Sequence, residues 1–464
     1  MKAIILAAGK GKRMKSSLEK VFHKVLGVPM VERIIMACKE ADINPIIGVF
    51  SPSGKDMVDG LAVKPDVTVV QDTPLGTGDA VKRAWEYLDG AVIILPGDMP
   101  LLTGEELLRI KETYEESGAD ALVVAMELED PGYYGRIVLD NNGHLKKIVE
   151  YTDATEEEKA IRLVNTGVYV IDGKLLRKYL NKLTPANAQG EYYFTDVFPM
   201  MISDGIRVSV YRAEDPTLYI GVNNRYMLSV AEDIARRRYL KKLMLDGVTI
   251  HMPETVYIEE SVNIEADVEI WPYTIIKGDT SVASGAVLGP NTYIEDSHIG
   301  ENATVTYSHI VGAMVGSEDA IGPFSRLRPG ATLGRKVKVG NFVEIKKSNL
   351  GNGTKASHLS YIGDAEVGEN VNIGAGTITC NYDGFKKNPT YIEDNVFIGS
   401  DSILVAPVRI GKGAYTAAGS VITKDVPPGA LAIGRSRQVN KEGWVEKYIA
   451  RKKNEGGDKG GTSK

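Results

Sequence analysis

The 464-residue sequence is poor in cysteine: Cys38 and Cys380 are its only two, far apart and outside any CxxC or Cys/His spacing. That leaves neither a disulfide framework nor a zinc pattern to read, and it fits a reducing compartment. Long apolar runs are missing too, since nothing approaches the ~18 to 20 residues of a membrane span. The apolar stretch Ala3–Ala8 runs straight into Gly9-Lys10-Gly11-Lys12-Arg13, which is too short and wrongly flanked for a signal peptide. The expectation is a cytoplasmic chain with no membrane partner. An excess of positive charge is also lacking: the formal net charge of -6 argues against nucleic acid as a partner, while small anions can still bind at a local basic loop.

What is present divides by periodicity, and the length favours two domains. Residues 1–222 alternate short apolar runs (Ala3–Ala8, Pro45–Phe50, Val67–Val70, Ala91–Leu95, Ala121–Met126, Gly167–Ile171) with amphipathic stretches such as Val28–Ala41 and Ala80–Leu88. This is the pattern of an α/β, Rossmann-like sheet covered by helices, with ligands expected in the loops after the strands. Residues 223–246 place Met227, Val230, Ala231 and Ile234 at helical spacing. Such a helix is either a linker about 33 Å long or a terminal helix packed on the first domain. Residues 247–464 repeat in sixes: Ile258, Ile264, Ile270, Ile276, Val282, Leu288 and Ile294, then Ile321, Leu327, Leu333, Val339 and Ile345, then Ile392, Ile398, Leu404 and Ile410. A period of six is the hexapeptide signature of a parallel β-helix. Gly289, Gly322, Gly334, Gly340, Gly399 and Gly411 each follow such a position, where a small residue would permit a bend. Residues 351–361 and 379–391 read as polar interruptions of the coil, where function tends to reside. A short helix is expected near Lys441–Lys452, and disorder over the last dozen residues.

In the first region, Leu6-Ala7-Ala8-Gly9-Lys10-Gly11-Lys12-Arg13-Met14 lacks both the GK[ST] ending of a P-loop and the third glycine of a dinucleotide fingerprint. It remains a glycine loop with three cations, suited to nucleotide phosphates. Gln71 with Leu75-Gly76-Thr77-Gly78 is a polar, glycine-rich patch fit to lie against a base, and Asp98 directly follows a strand, where a hard divalent cation could sit. Gly135, Glu150 and Asn165 stand in turns able to hydrogen-bond hydroxyls. Taken singly, Asp98 could be a cap and Lys20 a solvated lysine. In the second region His358 lies in the first interruption, and Asn372–Gly384 leads into the second.

Together these segments resemble the sugar-1-phosphate nucleotidyltransferases, most closely the bifunctional bacterial N-acetylglucosamine-1-phosphate uridylyltransferases, over nearly the whole chain. Two positions depart from the family pattern: Lys12 replaces the usual Thr or Ser, and Glu19 precedes Lys20 where proline is common. The resemblance implies that Leu6, Ala7, Ala8, Gly9, Lys20, Gln71, Gly76 and Thr77 bind uridine nucleotide, that Gly135, Glu150 and Asn165 hold the sugar, and that Asp98 with Asn223 binds Mg²⁺. Arg13 and Lys20 would stabilise charge as UMP passes from UTP to N-acetylglucosamine-1-phosphate.

For the second region it implies a left-handed β-helix that acetylates glucosamine-1-phosphate from acetyl-CoA. His358 would be the base and Glu344 its orienting partner. Arg328 and Lys346 would hold the phosphate; Tyr361, Asn372 and Lys387 the sugar; Ala375, Asn381, Tyr382, Ser400, Ala418 and Arg435 the acetyl-CoA. A homotrimer and a place in cell-wall precursor synthesis are further implications. The competing reading is a single-function nucleotidyltransferase whose β-helix serves only assembly.

Overall fold

A computed structural model describes residues 1–457 apart from Lys10 and Ala188. The loop cation Lys10 and residues 458–464 of the tail therefore lie outside the described residues. The chain forms two compact units, Met1–Asn263 with Ile275–Asp279, and Ile264–Thr274 with Thr280–Lys464.

The first unit is built on a mixed sheet. Its strands are β1 (Lys2–Ala7), β2 (Ile46–Phe50), β3 (Val67–Val70), β4 (Ala91–Pro96), β5 (Ala121–Glu127), β6 (Arg136–Leu139), β7 (Leu145–Val149), β8 (Leu163–Asp172) and β9 (Val208–Arg212). The order is β9-β5-β8-β4-β1-β2-β3, with β8 antiparallel to β4 and β5 and the β6–β7 hairpin joined to β8. Alternate residues feed two cores: Ala3 and Ile5 pack with Val31, Ile34 and Ile35 of α1 (Met30–Glu40), while Ile4 packs with Val92, Ile94 and Val81 of α2 (Thr77–Arg83). Burial on both faces explains why these strands read as continuous apolar runs. The helix expected around 223–246 is α3 (Arg225–Leu245), whose Ala231 and Ala235 are buried with Met14, Leu26, Met30 and Leu101. It belongs to the first compact unit.

One contact fixes the heart of this unit. β1 and β4 run side by side, Leu6 opposite Pro96, and the Gly97 N–H donates to the Leu6 carbonyl at 2.8 Å. A Cβ on Gly97 would lie 2.9 Å from that oxygen. Only glycine lets Asp98 sit this close to the loop that leaves β1.

The second unit is a parallel β-helix of three sheets, each short strand bonded to the strand one coil later. The aliphatic positions expected inside the prism, Leu288, Ile294, Leu327, Val339, Ile345, Ile398, Leu404 and Ile410 among them, are buried. Two expectations need correction. Residues 351–361 do not interrupt the coil: Lys355–His358 and Tyr361–Gly363 are regular strands, Lys338 faces Lys355, and Lys355 faces Asn372. This coil has seventeen residues, against eighteen from Arg326 to Glu344. The missing residue moves the inward sites to Leu350, Ala356 and Ile362, which disguises the period. The second interruption is real, since Tyr361 faces Ile378 but Ile378 faces Ile403, the extra residues looping out between Cys380 and Thr390. The glycines also divide by cause. Gly289 and Gly322 adopt left-handed φ of 97° and 106°. Gly340 does not, but a Cβ there would lie 2.0 Å from the Ser357 carbonyl of the next coil, so the requirement is space between coils and not a bend. Near the C-terminus the helix α4 runs Trp444–Gly457, so residues 453–457, expected to be disordered, are helical.

Candidate active sites

In the first unit a cavity of about 730 Å³ opens at the carboxyl ends of β1 and β4. Leu6, Ala7, Ala8, Gly9, Lys20, Gln71, Gly76, Thr77, Asp98, Glu150 and Asn165 all line it. Lys12 lines it as well. Arg13, Gly135 and Asn223 are not part of the lining but adjoin it. Asn223 Oδ1 accepts from the Arg13 guanidinium at 2.9 Å and from Lys20 Nζ at 3.2 Å, and Gly135 backs Glu150, whose Oε2 would lie 3.3 Å from a Cβ there.

The charges at the mouth are mutually arranged. The Lys20 ammonium is ion-paired with Asp98, both side chains only 14% and 16% exposed, and it also contacts Asn223. One cation thus sits on a carboxylate and an amide oxygen, hard donors that suit a divalent ion equally well. Among the described residues no group of three or more His, Cys, Asp or Glu could hold a metal ion, so further ligands would be substrate oxygens and water. Glu19 is tied down: it accepts from Ser51 Oγ at 3.0 Å and from Ser53 Oγ, fixing the Lys20 turn to the end of β2.

Deeper in the cavity, Thr77 Oγ1 accepts from the Phe194 N–H at 3.0 Å. Asn165 donates to the Tyr169 hydroxyl at 2.6 Å and accepts from the Gly167 N–H, which orients its amide. Burial holds the Glu150 carboxyl above the usual carboxylate range, against the lowering effect of the Thr195 hydroxyl bond. Glu191, Phe194, Thr195 and Tyr169 also line the cavity and were not singled out in the sequence. Their only signal was nearness to Asn165, or to a turn with no motif. Arg136 is 2% exposed and spends its donors on the Gly132, Tyr134 and Lys159 carbonyls. It is the framework of the turn that carries Gly135.

In the β-helix His358, Ala375, Ser400 and Ala418 climb one edge of the prism. Asn341 faces His358, and extending the register places Ala375, Ser400 and Ala418 on successive coils, with Asp401 donating to the Ala375 carbonyl and Gly419 to that of Ser400. Arg435 follows, its Cδ 3.8 Å from where a Gly419 Cβ would lie. His358 is exposed, and its Nδ1 lies 2.7 Å from Asn341 Oδ1. An amide oxygen only accepts, so Nδ1 carries the proton and Nε2 presents a lone pair outward.

The hydrogen-bond partner of His358 is Asn341 and not Glu344, which instead accepts from Arg328 at 2.9 Å. The physical reason is register: Glu344 lies on the next sheet, opposite Arg326 and Tyr361. Counting one coil back from His358 would have found Asn341. Lys346 sits beside Glu344 on that sheet, opposite Gly363. Tyr361 accepts from Asn381 Nδ2 at 3.3 Å, and Asn381 also donates to Asp364 at 2.5 Å. In the looped-out segment the Lys387 ammonium lies 4.2 Å from the Tyr382 ring centre. Asp383 closes the loop by accepting from the Lys386 and Phe385 N–H groups and from Asn388, bonds that hold its carboxyl down at about 2.

Comparison with known proteins agrees with both halves. Residues 3–166 match the MobA-like NTP transferase domain, and residues 389–424 match the bacterial transferase hexapeptide. The chain is 50% identical to the bifunctional protein GlmU of Carboxydothermus hydrogenoformans, covering 96% of this chain and 100% of that protein. It is 45% identical to that of Geobacillus sp. (97% and 98% covered) and 46% identical to that of Thermotoga maritima (96% and 99%).

The chain belongs to the GlmU family. It is a bifunctional transferase, a nucleotidyltransferase and an acyltransferase in one chain. As a GlmU enzyme it acetylates glucosamine-1-phosphate and transfers UMP from UTP to N-acetylglucosamine-1-phosphate. No helix among the described residues is long and apolar enough to cross a membrane.

Proposed function

We propose that residues 1–222 carry uridylyl transfer in the 730 Å³ cavity, that 247–464 carry acetyl transfer along the Asn341–Ala418 edge, and that 223–246 connect them. The observation that carries the second assignment is the His358–Asn341 bond, which engages Nδ1 and leaves Nε2 available to accept a proton.

In the acetyl step the neutral amine of glucosamine-1-phosphate attacks the thioester carbon. His358 Nε2 takes the amine proton, and the C–S bond breaks to release the thiolate of coenzyme A. Arg328 and Lys346 hold the phosphate; Tyr361, Asn372 and Lys387 hold the sugar; Ala375, Asn381, Tyr382, Ser400, Ala418 and Arg435 line the acetyl-CoA groove.

In the uridylyl step a phosphate oxygen of the sugar phosphate attacks the α-phosphorus of UTP, and the bond to the β-phosphate breaks to release pyrophosphate. Leu6–Gly9, Gln71, Gly76 and Thr77 hold the nucleotide, and Gly135, Glu150 and Asn165 hold the sugar. Arg13 and Lys20 offset charge that builds on the phosphates. Asp98 and Asn223 would hold Mg²⁺, which supplies charge neutralisation across the phosphate oxygens.

We further propose a cytoplasmic homotrimer. Supporting this, Tyr307, Phe324, Phe342 and Leu359 form an exposed apolar column on the β-helix, and Trp444, Val445, Tyr448 and Ile449 an exposed apolar face on α4.

The test is a coupled assay on wild type and His358→Ala with glucosamine-1-phosphate, acetyl-CoA, UTP and Mg²⁺. Acetylation should fall about 10³-fold, within the usual reach of a general base. UDP-N-acetylglucosamine should still form when N-acetylglucosamine-1-phosphate is supplied. Normal acetylation by the variant would sink the assignment.

A further inference from the structure

We propose that Asp79, braced by Arg83, sets the base specificity of the nucleotide cavity by deciding which end of the Gln71 amide faces the substrate. The inference rests on reading that cavity as the nucleotide site. Gln71 is buried just past the end of β3, its backbone N–H donating to the Phe50 carbonyl at 2.8 Å. Its side-chain nitrogen donates to the Gly76 carbonyl at 3.2 Å and to Asp79 Oδ2 at 2.8 Å. Both amide hydrogens are thereby used. Turning the amide over would set the buried Oε1 against a half-buried carboxylate oxygen, two acceptors facing each other, a cost of about 1–3 kcal/mol. Arg83, one helical turn along α2, donates to both Asp79 oxygens at 3.3 and 3.4 Å and keeps the carboxylate in position.

Gln71 can therefore offer the cavity only its carbonyl oxygen. A fixed, buried acceptor selects a ring edge that donates. Uracil and thymine carry N–H at N3 and satisfy it. Cytosine carries a lone pair there and does not. The device reads the imino N–H at N3 and ignores the methyl that separates thymine from uracil, so it disfavours cytidine nucleotides, whose nearest donor is the displaced N4 amine, without ranking UTP against dTTP.

Asp79→Asn tests this in the full-length chain, because its amide can face Gln71 with either an oxygen or an NH₂ and so removes the shorter of the two bonds that fix Gln71, leaving only the longer one to the Gly76 carbonyl. Transfer from UTP and from CTP to N-acetylglucosamine-1-phosphate would be measured on wild type, Asp79→Asn and Asp79→Ala, with acetyl transfer at the other site reporting that each variant is folded. The expected result is at least a tenfold fall in the UTP-over-CTP ratio of kcat/KM, carried by KM, with kcat for UTP changed less than about twofold. An unchanged ratio in both variants, or a uniform loss of kcat for both nucleotides, overturns the inference while leaving the cavity assignment standing. Wild type that uses CTP as well as UTP overturns it too. Wild type that turns over neither nucleotide overturns the cavity assignment itself.

Discussion

The two proposed catalytic regions assemble their residues by opposite means. Lys20, Asp98 and Asn223 are separated by long stretches of chain and meet because a buried sheet brings the ends of β1 and β4 together. Asn341 and His358, and Arg328 and Glu344, are about one coil apart and meet by periodicity alone. The Lys20 and Asp98 charges of the first region are largely shielded and already paired, whereas His358 is exposed with one oriented bond. A constellation of mutually satisfied groups fails as a unit when one is removed. A repeat holds each group independently, and losing a positioning partner there costs less.

Single substitutions can break that contrast. Lys20→Ala should lower uridylyl kcat by about 100-fold or more, because it removes a charge-stabilising donor and also strands the Asp98 carboxylate. Acetyl transfer measured on the same protein should not change. Asn341→Ala should lower acetyl transfer by only about tenfold, since the imidazole keeps its place on the coil and loses its tautomeric and rotational restraint. If Asn341→Ala matched His358→Ala, independence along the repeat would be wrong. If Lys20→Ala cost no more than a few-fold, the first region would not be the coupled unit described here.

What the sequence made legible follows the same division. Six strands of the first unit could be read as apolar runs, and the glycine loop at Gly9, the Gln71–Gly78 patch and Asp98 could be read as polar or glycine-bearing segments near strand ends, while Lys20 was lifted only by the family resemblance. Tyr169 and Thr195 were not found, since their parts depend on the packing of β8 and the segment after it, which no local motif records. In the β-helix, the period of six located the interior but failed where a coil shortens by one residue. His358 was then placed in a supposed break, and Asn341 passed unnoticed though it sits one coil away. Glu344 was given to the imidazole only by the family resemblance; register sets it where it accepts from Arg328.

Buried acids offer the smallest and most discriminating test of the contrast. In the first unit the buried Glu106 carboxylate accepts from the Tyr219 and Tyr211 hydroxyls at 2.6 and 3.1 Å and has Arg109 at 3.5 Å. In the β-helix the buried Asp319 accepts only from the Gly316 and Val337 N–H groups, at 2.7 Å each, with no cation paired to it among the described residues. Burial outweighs those two bonds and pushes the Asp319 carboxyl up from 3.8 to about 6. The folded state then binds this proton more tightly than the unfolded state does. Stability from this group is therefore fully present below pH 3.8 and is lost as pH rises through about 6, the reverse of a salt-bridged acid. The ceiling is about 3 kcal/mol, at about 1.4 kcal/mol per pH unit. Asp319→Asn removes the titration, so the stability difference between wild type and variant, followed by denaturant unfolding, should shift toward wild type as the pH falls from 6.5 to 4.5. A difference that stays flat across that window would mean that water or an unrecognised cation reaches Asp319, and that the coil interior is less dry than its aliphatic lining implies.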